Sequence, residues 1–501
     1  MTTTQNETSP AAAWFPTAAA AVCALVFVVL PRFDGDGAFW GLGHAAAVPL
    51  WLRVLLGLTL LGLSLPPVAD RAVALLEPLS RRIEALFRQY PKPALAGAGA
   101  IAAVVFWLLR DRNFLLGDSE HLIKAMTWYV REEGWHVTFD EAMALWLHSA
   151  VYKLFVAAGF PGAAETAFAL TSVLAGGGFV VVLLLLVRRL AAGALLRTAL
   201  ALLFLGGGFV QLLFGHVENY TVVALFMLLY FFAGVRCLRE EGRGLFVPAA
   251  LLSTAVAFHL LAGWLYPTLL VLWWAGRGRK QEDGKRSDGG LTALVAGALL
   301  PLIAAFIICR FSGFGAERFG ETHLAAMKFV FLLGPDYEHY QYGFLSPAHL
   351  FDALNQLWLC ALAGVLGVSL ALLHRGPAGE RGPRGEVIFA VTAAVMLQCF
   401  ALCWNPDLGA FKDYDLFAAA GLGWSFAALV LLARRRVPAR AVLVIALCGL
   451  LFTVPWVLGN HFEAVEVDPG VPAASAGRAD HDAVVIFVDE NKTGIGRPAD
   501  V

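Results

Sequence analysis

Apolar runs of about 20 residues recur along this chain, and they limit the fold before any single residue is considered. A helix needs about 20 apolar residues to cross a hydrocarbon core about 30 Å thick. Inside lipid every backbone polar group must be paired within the element, so such runs read as transmembrane helices. They lie near 15–31, 46–66, 94–110, 162–188, 194–213, 219–238, 246–260, 262–276, 291–310, 350–373, 386–404, 415–433 and 439–458. The expected fold is all-α, a polytopic bundle of about 13 spans. Only 15% of residues are charged, against about 25% in soluble proteins.

The stretch 246–275 is long for one span and short for two. We divide it at residues 259–263, and the basic residues support the division. Under it, the short loops 67–93, 188–197, 236–243, 277–286, 375–384 and 434–440 carry 23 of the 37 Lys and Arg residues. The opposite side carries 13, spread over much longer segments. Short loops rich in Lys and Arg stay inside, so the N-terminus is expected inside and the C-terminus outside. Residues 1–10 contain no Lys or Arg, which makes the first run a retained span rather than a cleaved leader.

Two outward loops are large. Residues 110–161 hold two helical patterns, 121–130 and 140–157, with Trp128, Trp135 and Trp146 suited to the membrane interface. Residues 311–349 are dense in Gly, aromatics and acids, including Asp336, Tyr337 and His339. The inside loops read as connections. The tail after residue 460 begins polar and contains a β-prone run over 483–488. The seven Cys lie in or beside apolar runs, so no disulfide framework is expected. The net charge of -1 and the lack of a basic cluster argue against a nucleic-acid partner.

The candidate chemistry falls on the outward side. Asp118 and Glu120, two residues apart, share a face if their loop is extended; one could act as general base and the other hold a ligand or a metal. His121 closes the same stretch. His216, Glu218 and Asn219 lie where one span ends and the next begins, a depth at which an ionisable group is costly and faces a cavity or a partner. The bland alternative is that Asn219 caps a helix. His259 ends an apolar run and is followed by Tyr266 and Pro267. Asp407, Lys412, Asp413 and Asp415 crowd one short loop, where turn chemistry and a helix N-terminus would account for the acids but not for Lys412. Lys412 or Arg310 could contact a phosphate as a cation. No nucleotide-binding, serine-hydrolase or zinc-protease motif is present.

An acidic stretch in the first large outward loop (Gly117-Asp118-Ser119-Glu120), interfacial helices after it, an outward His followed by Tyr266-Pro267, and a second large outward loop together resemble the GT-C class of membrane glycosyltransferases. That class includes protein O-mannosyltransferases and aminoarabinose transferases. The resemblance covers roughly residues 94–435. It implies a core at 94–435, two accessory spans and an inside loop at 1–93, a last span at 436–460 and an outward tail at 461–501. It also implies a polyprenyl-phosphate sugar as donor, an acceptor that is a lipid, glycan or protein, and inverting transfer with an outward carboxylate as base. Carried over, Asp118 is that base and Glu120 its neighbour. The family motif often has two adjacent acids, and here Ser119 separates them. His121, His216, Glu218, Asn219, His259, Tyr266, Arg310, Asp407, Lys412, Asp413 and Asp415 become substrate contacts, and a divalent cation would suit so many acids.

The expectation is therefore an integral membrane glycosyltransferase working with membrane lipid, in a bacterial inner membrane with its site on the extracytoplasmic face. Two rivals remain: a transporter or flippase of a lipid-linked saccharide, and a non-catalytic membrane scaffold. A transporter should carry its polar groups deep within spans and show paired repeat halves, and neither is visible.

Overall fold

The computed structural model describes residues 10–32, 38–132, 141–239, 244–277, 289–312, 330, 343–374, 384–406 and 409–462. Residues 463–501, most of the loop 311–349, and Asp407 and Trp135 lie outside the described residues. All regular structure described is helical. The order begins α1 (Pro10–Val29), α2 (Trp40–Gly43), α3 (Leu50–Ser64), α4 (Pro66–Gln89), α5 (Pro91–Leu108) and α6 (Ser119–Glu132). It continues with α7 (Ala142–Ala157), α8 (Ala163–Leu190), α9 (Ala194–Leu205), α10 (Tyr220–Arg239), α11 (Phe246–Phe258) and α12 (Tyr266–Arg277). The last six are α13 (Gly289–Phe311), α14 (Pro347–Gln356), α15 (Leu362–Leu373), α16 (Arg384–Cys403), α17 (Tyr414–Arg434) and α18 (Ala439–Phe462).

Every apolar run read from the sequence falls on helix, and the protein is an integral membrane protein. The count of about 13 full spans needs correction. Among the described residues nine helices are long and apolar enough to cross, or ten if Trp40–Ala47 and Leu50–Ser64, bent by 111°, form one broken span. The shortfall comes from α9, α11 and α12, of 12, 13 and 12 residues. At 1.5 Å per residue each reaches only about 20 Å. All three abut 3₁₀ segments, Gly208–Leu213 after α9 and Leu260–Leu265 between α11 and α12. A run of apolar residues shows where chain is buried in lipid; it does not show where the helix is interrupted.

The centre of the bundle is α17, packed against α15, α16 and the π-helical turn Leu357–Ala361. Close approach there requires glycine: a Cβ on Gly421 would overlap the Cys360 carbonyl. The outermost helices are α5 and α13, largely exposed to lipid. The first helices pack as a pair, α1 on α3, with α1 also against α18.

The two ends of the bundle differ in chemistry. At one end Arg440 meets Asp70 at 2.8 Å, Glu84 meets Arg197 at 2.6 Å, and Arg239 meets Glu386 at 2.5 Å. This end carries the short basic loops. The stretch 67–93, read as a mere connection, is instead mostly the 24-residue helix α4, started by Pro66 and Pro67 in its first turn. It shows Leu75, Leu79 and Leu86 on the exterior and directs Glu84 into the bundle. The opposite end gathers the loops that hold the acids and histidines.

Candidate functional site

The loop 109–118 runs across the acid end and is tied down by backbone. The Asp111 N–H donates to the Phe214 carbonyl at 2.7 Å, the Arg112 N–H to the Asn460 carbonyl at 3.0 Å, and the Gly117 N–H to the Lys412 carbonyl at 2.8 Å. Three other segments are thereby stitched to it: the loop before α10, the end of α18 and the loop before α17. Gly117 has φ +61°, and a Cβ there would run into the carboxylates of Asp415 and Glu218. Those two acids therefore lie against the Gly117 backbone, Glu218 from the loop before α10 and Asp415 from the first turn of α17.

At the base is a buried ionic triad. His216 Nδ1 lies 2.6 Å from Asp111 Oδ2, and its Nε2 lies 3.1 Å from Asp415 Oδ2. All three are nearly inaccessible to solvent. Burial alone would pull the His216 pKa down; hydrogen bonds and charge from Asp111 and Asp415 overcome it and push it up to about 9. At neutral pH it is an imidazolium holding two carboxylates. The Tyr414 hydroxyl sits 3.5 Å from His216 Nε2. Sequence reasoning missed Asp111; an acid directly after a span end, between Arg110 and Arg112, was the available signal.

Above the triad, Glu218 is buried and accepts the Asp118 N–H. Its pKa is raised well above the ordinary value by burial, then by the nearby charges of Asp415, Asp118 and Glu141. Glu141 is the second residue missed. It joins both His259, whose Nε2 is 3.2 Å from Glu141 Oε1, and Asn219, whose Nδ2 donates to Oε2 at 2.8 Å. The Leu261 N–H donates to His259 Nδ1 at 3.0 Å, so the ring proton lies on Nε2, toward Glu141. Asn219 Oδ1 pairs with His148 Nδ1 at 3.0 Å, so its side chain bridges α7 and Glu141 rather than capping α10. Burial pulls the His148 pKa down to about 3, against the Asn219 hydrogen bond, and leaves that ring neutral. Only sequence position next to Asp140, at the start of a helical pattern, hinted at Glu141.

The structure thus brings together Asp118, His216, Glu218, Asn219, His259 and Asp415. Asp118 is exposed over this group, Glu141 is half-buried, and Asp111, Glu218 and Asp415 are buried. Asp413 is buried at the N-cap position of α17. Lys412 and Arg112 are half-buried and form no ion pair among the described residues, and Arg112 Nε is buried without a hydrogen bond.

Other candidates stand apart. The extended geometry expected for Asp118 and Glu120 does not occur, because α6 starts at Ser119. Asp118 precedes the helix, while Glu120 lies in its first turn and turns to Lys124, four residues on, at 2.5 Å. His121 is exposed on the same helix. The Tyr266 hydroxyl pairs with Ser253 at 3.1 Å between α11 and α12. Arg310 is exposed at the end of α13. No group of three or more His, Cys, Asp or Glu arranged to hold a metal ion occurs among the described residues. All seven Cys are free.

No known protein-family profile matches the chain, and no curated protein matches it. A solved structure, ArnT from Cupriavidus metallidurans in the apo state, is similar at 14% identity with a TM-score of 0.44, over 73% of this chain and 76% of that chain.

Proposed function

We propose that the protein is a membrane glycosyltransferase of GT-C type that moves a sugar from a polyprenyl-phosphate donor to an acceptor at the acid end of the bundle. On this reading residues 94–435 are the catalytic core, 1–93 and 436–460 are accessory spans, and the acid end faces the periplasm of a bacterial inner membrane. One observation carries the reading. The exposed carboxylate of Asp118 is one residue from Gly117, whose N–H is bonded to the backbone of Lys412, a cation with no ion pair among the described residues. On this reading a general base and a phosphate-binding cation belong to adjoining stretches of backbone at the acid end.

The chemistry needs little more. Asp118 takes the proton of an acceptor hydroxyl or amine. The freed electron pair attacks the anomeric carbon, and the bond from that carbon to the lipid phosphate breaks. The phosphate leaves with the bonding electrons, and Lys412 and Arg112 meet its charge. Attack opposite the leaving group inverts the anomeric centre. The carboxylates beneath would stabilise oxocarbenium-like charge, while the His216 imidazolium holds Asp111 and Asp415 in place.

Asp118→Asn tests this directly. It keeps the size of the side chain but cannot take a proton. Turnover of a polyprenyl-phosphate sugar by the purified protein should fall by about 10²–10⁴-fold. Stability should change by no more than about 0.5 kcal/mol, as for other exposed substitutions. A folded variant with wild-type turnover would overturn the role of Asp118.

A further inference from the structure

The first helices lie outside the stretch read as the catalytic core, yet one of them reaches the acid end. The turn 38–43, which includes α2, docks on α14. The Trp40 indole N–H donates to Asp352 Oδ1 at 2.7 Å. The Gly41 N–H donates to Asn355 Oδ1 at 3.1 Å, and Asn355 Nδ2 donates to the Ala38 carbonyl at 2.8 Å. Asp352 and Asn355 are three residues apart on α14 and so share one face. The approach is close: a Cβ on Gly41 would lie 2.4 Å from the Asn355 carbonyl oxygen. Phe39 adds an edge-on contact with Phe351, centroid to centroid 6.3 Å.

This docking does more than tether the first helices. The Trp40 ring packs on Phe411, with centroids 5.8 Å apart and planes inclined by 59°. Phe411 precedes Lys412, whose carbonyl accepts the Gly117 N–H at 2.8 Å. The turn that carries both residues closes on itself, the Asp413 N–H donating to the Gly409 carbonyl at 3.0 Å. A ring held against Phe411 therefore bears on the whole turn. Contacts run without a break from α14 through Trp40 and Phe411 to the backbone of Lys412. A lysine is a compact charge on a flexible four-carbon stem. It meets a phosphate at lower entropic cost when the loop beneath it is already fixed. Tryptophan suits such a brace, because its large ring packs while its N–H fixes its orientation.

We infer that Trp40 is a positioning residue for the transfer site, supplied by the accessory helices. Anchored on Asp352, it braces Phe411 and so holds Lys412 where a donor phosphate is met. The role of Lys412 rests on the transferase reading; the bracing of its loop does not.

Hydrogen exchange tests the brace without relying on turnover. In the full-length protein in nanodiscs, Trp40→Leu removes the ring and its N–H. Exchange at Gly117 and over 409–413 should speed up about tenfold, the worth of one aromatic pair and one neutral hydrogen bond. The Asp111 and Arg112 amides, tied to the Phe214 and Asn460 carbonyls, should not change. Trp40→Phe keeps a ring without the N–H and should give an intermediate rise. Gly41→Ala wedges the turn off α14 and should reproduce Trp40→Leu with the indole still present. Trp51→Leu, at an exposed position on α3, should change nothing. Size-exclusion profiles check folding, and if Trp40→Leu misfolds, Trp40→Phe and Gly41→Ala decide. Unchanged exchange over 409–413 in folded variants overturns the inference.

Turnover separates bracing of Lys412 from a general loss of structure. Trp40→Leu should lower kcat/KM for a polyprenyl-phosphate sugar roughly tenfold. In a Lys412→Ala background the same change should cost less than about twofold more, since the brace acts through that side chain. A further tenfold loss in that background overturns the inference. Faster loop exchange in Trp40→Leu, with no transferase turnover even in the wild type, would instead overturn the proposed function and leave the brace standing.

Discussion

The two ends of the bundle hold their charges in opposite ways. At the acid end Asp111, His216, Glu218 and Asp415 are all less than 4% exposed, and each depends on its neighbours to offset lost hydration. At the basic end burial is graded. Arg440 and Asp70 are 46% and 57% exposed, Glu84 is partly covered, and Glu386 is buried under Arg239. An exposed pair exchanges one set of solvent contacts for another, whereas a buried group that loses its partner has nothing to replace it. The acid end is therefore the fragile one, and it is where the chemistry is proposed.

The sharpest way to break this contrast is His216→Leu. Removing the imidazolium leaves Asp111 and Asp415 facing each other without a cation, and breaking a buried ion pair costs about 3–5 kcal/mol. Unfolding of the purified protein in detergent, followed by intrinsic fluorescence, should show a loss of that size. A change under about 1 kcal/mol would mean that the triad is not what holds the three loops together.

The pH dependence of stability is the next largest effect. His216 has an unfolded pKa near 6.5 and a folded value of about 9. Its contribution is fully present below pH 6.5 and is lost as pH rises through 9, because the folded state binds the proton more tightly. At about 1.4 kcal/mol per unit, this amounts to roughly 3 kcal/mol. Glu218 acts with the same sign and starts lower. Its folded pKa is raised above the ordinary 4.5, so the folded state keeps a proton that the unfolded chain has already released. Thermal midpoints measured from pH 5.5 to 9.5 should therefore fall steadily. A flat or rising profile would contradict the charge states assigned to the acid end.

How much of this was legible in the sequence follows from the same contrast. Spans and basic loops are readable because hydropathy and charge act locally: 20 apolar residues or three arginines announce themselves wherever the chain goes. Asp118, Glu218, His259 and Asp415 are readable as candidates because acids and histidines at span ends are rare enough to notice. What they touch was not readable. Asp111 and His216 are 105 residues apart, and Glu141 reaches His259 across 118 positions. Such pairings are set by how helices pack, on which local pattern is silent. Glu120 shows the reverse failure. It looked equivalent to Asp118 in an extended loop, but α6 begins one residue earlier, and an i,i+4 partner at Lys124 draws it aside. The expected crossings at α9, α11 and α12 were overcounted because 3₁₀ breaks preserve hydropathy while ending the helix.

Gly117→Ala probes the crowding of the acid end on a smaller scale. A residue with a Cβ at φ +61° carries a strain of about 1–2 kcal/mol, and here the methyl group also displaces the Asp415 and Glu218 carboxylates. Gly159 is the control. Its φ is +72°, but a Cβ there meets nothing within 4 Å. Gly159→Ala should show backbone strain alone, and Gly117→Ala strain plus displacement, with a larger loss of stability and reduced turnover. Equal losses in both variants would show that the carboxylates are not pressed against the Gly117 backbone.

The smallest effect belongs to the basic end. Arg440 Nη1 reaches both carboxylate oxygens of Asp70, at 2.8 and 2.9 Å, one nitrogen shared between two acceptors rather than a fork of two parallel bonds. Both side chains are also about half exposed, so water and salt screen the pair and its net worth is about 0.5 kcal/mol. A double-mutant cycle with Arg440→Ala and Asp70→Ala isolates that coupling from the loss of either side chain alone. It should shrink further as salt is raised, because the Debye length falls to about 3 Å at 1 M. The same cycle on Arg239 and Glu386, where the carboxylate is 4% exposed, should give a larger coupling that salt changes less. If the Arg440–Asp70 coupling instead exceeded about 1 kcal/mol and resisted salt, exposure would not be what separates the two ends, and the fragility assigned to the acid end would need another cause.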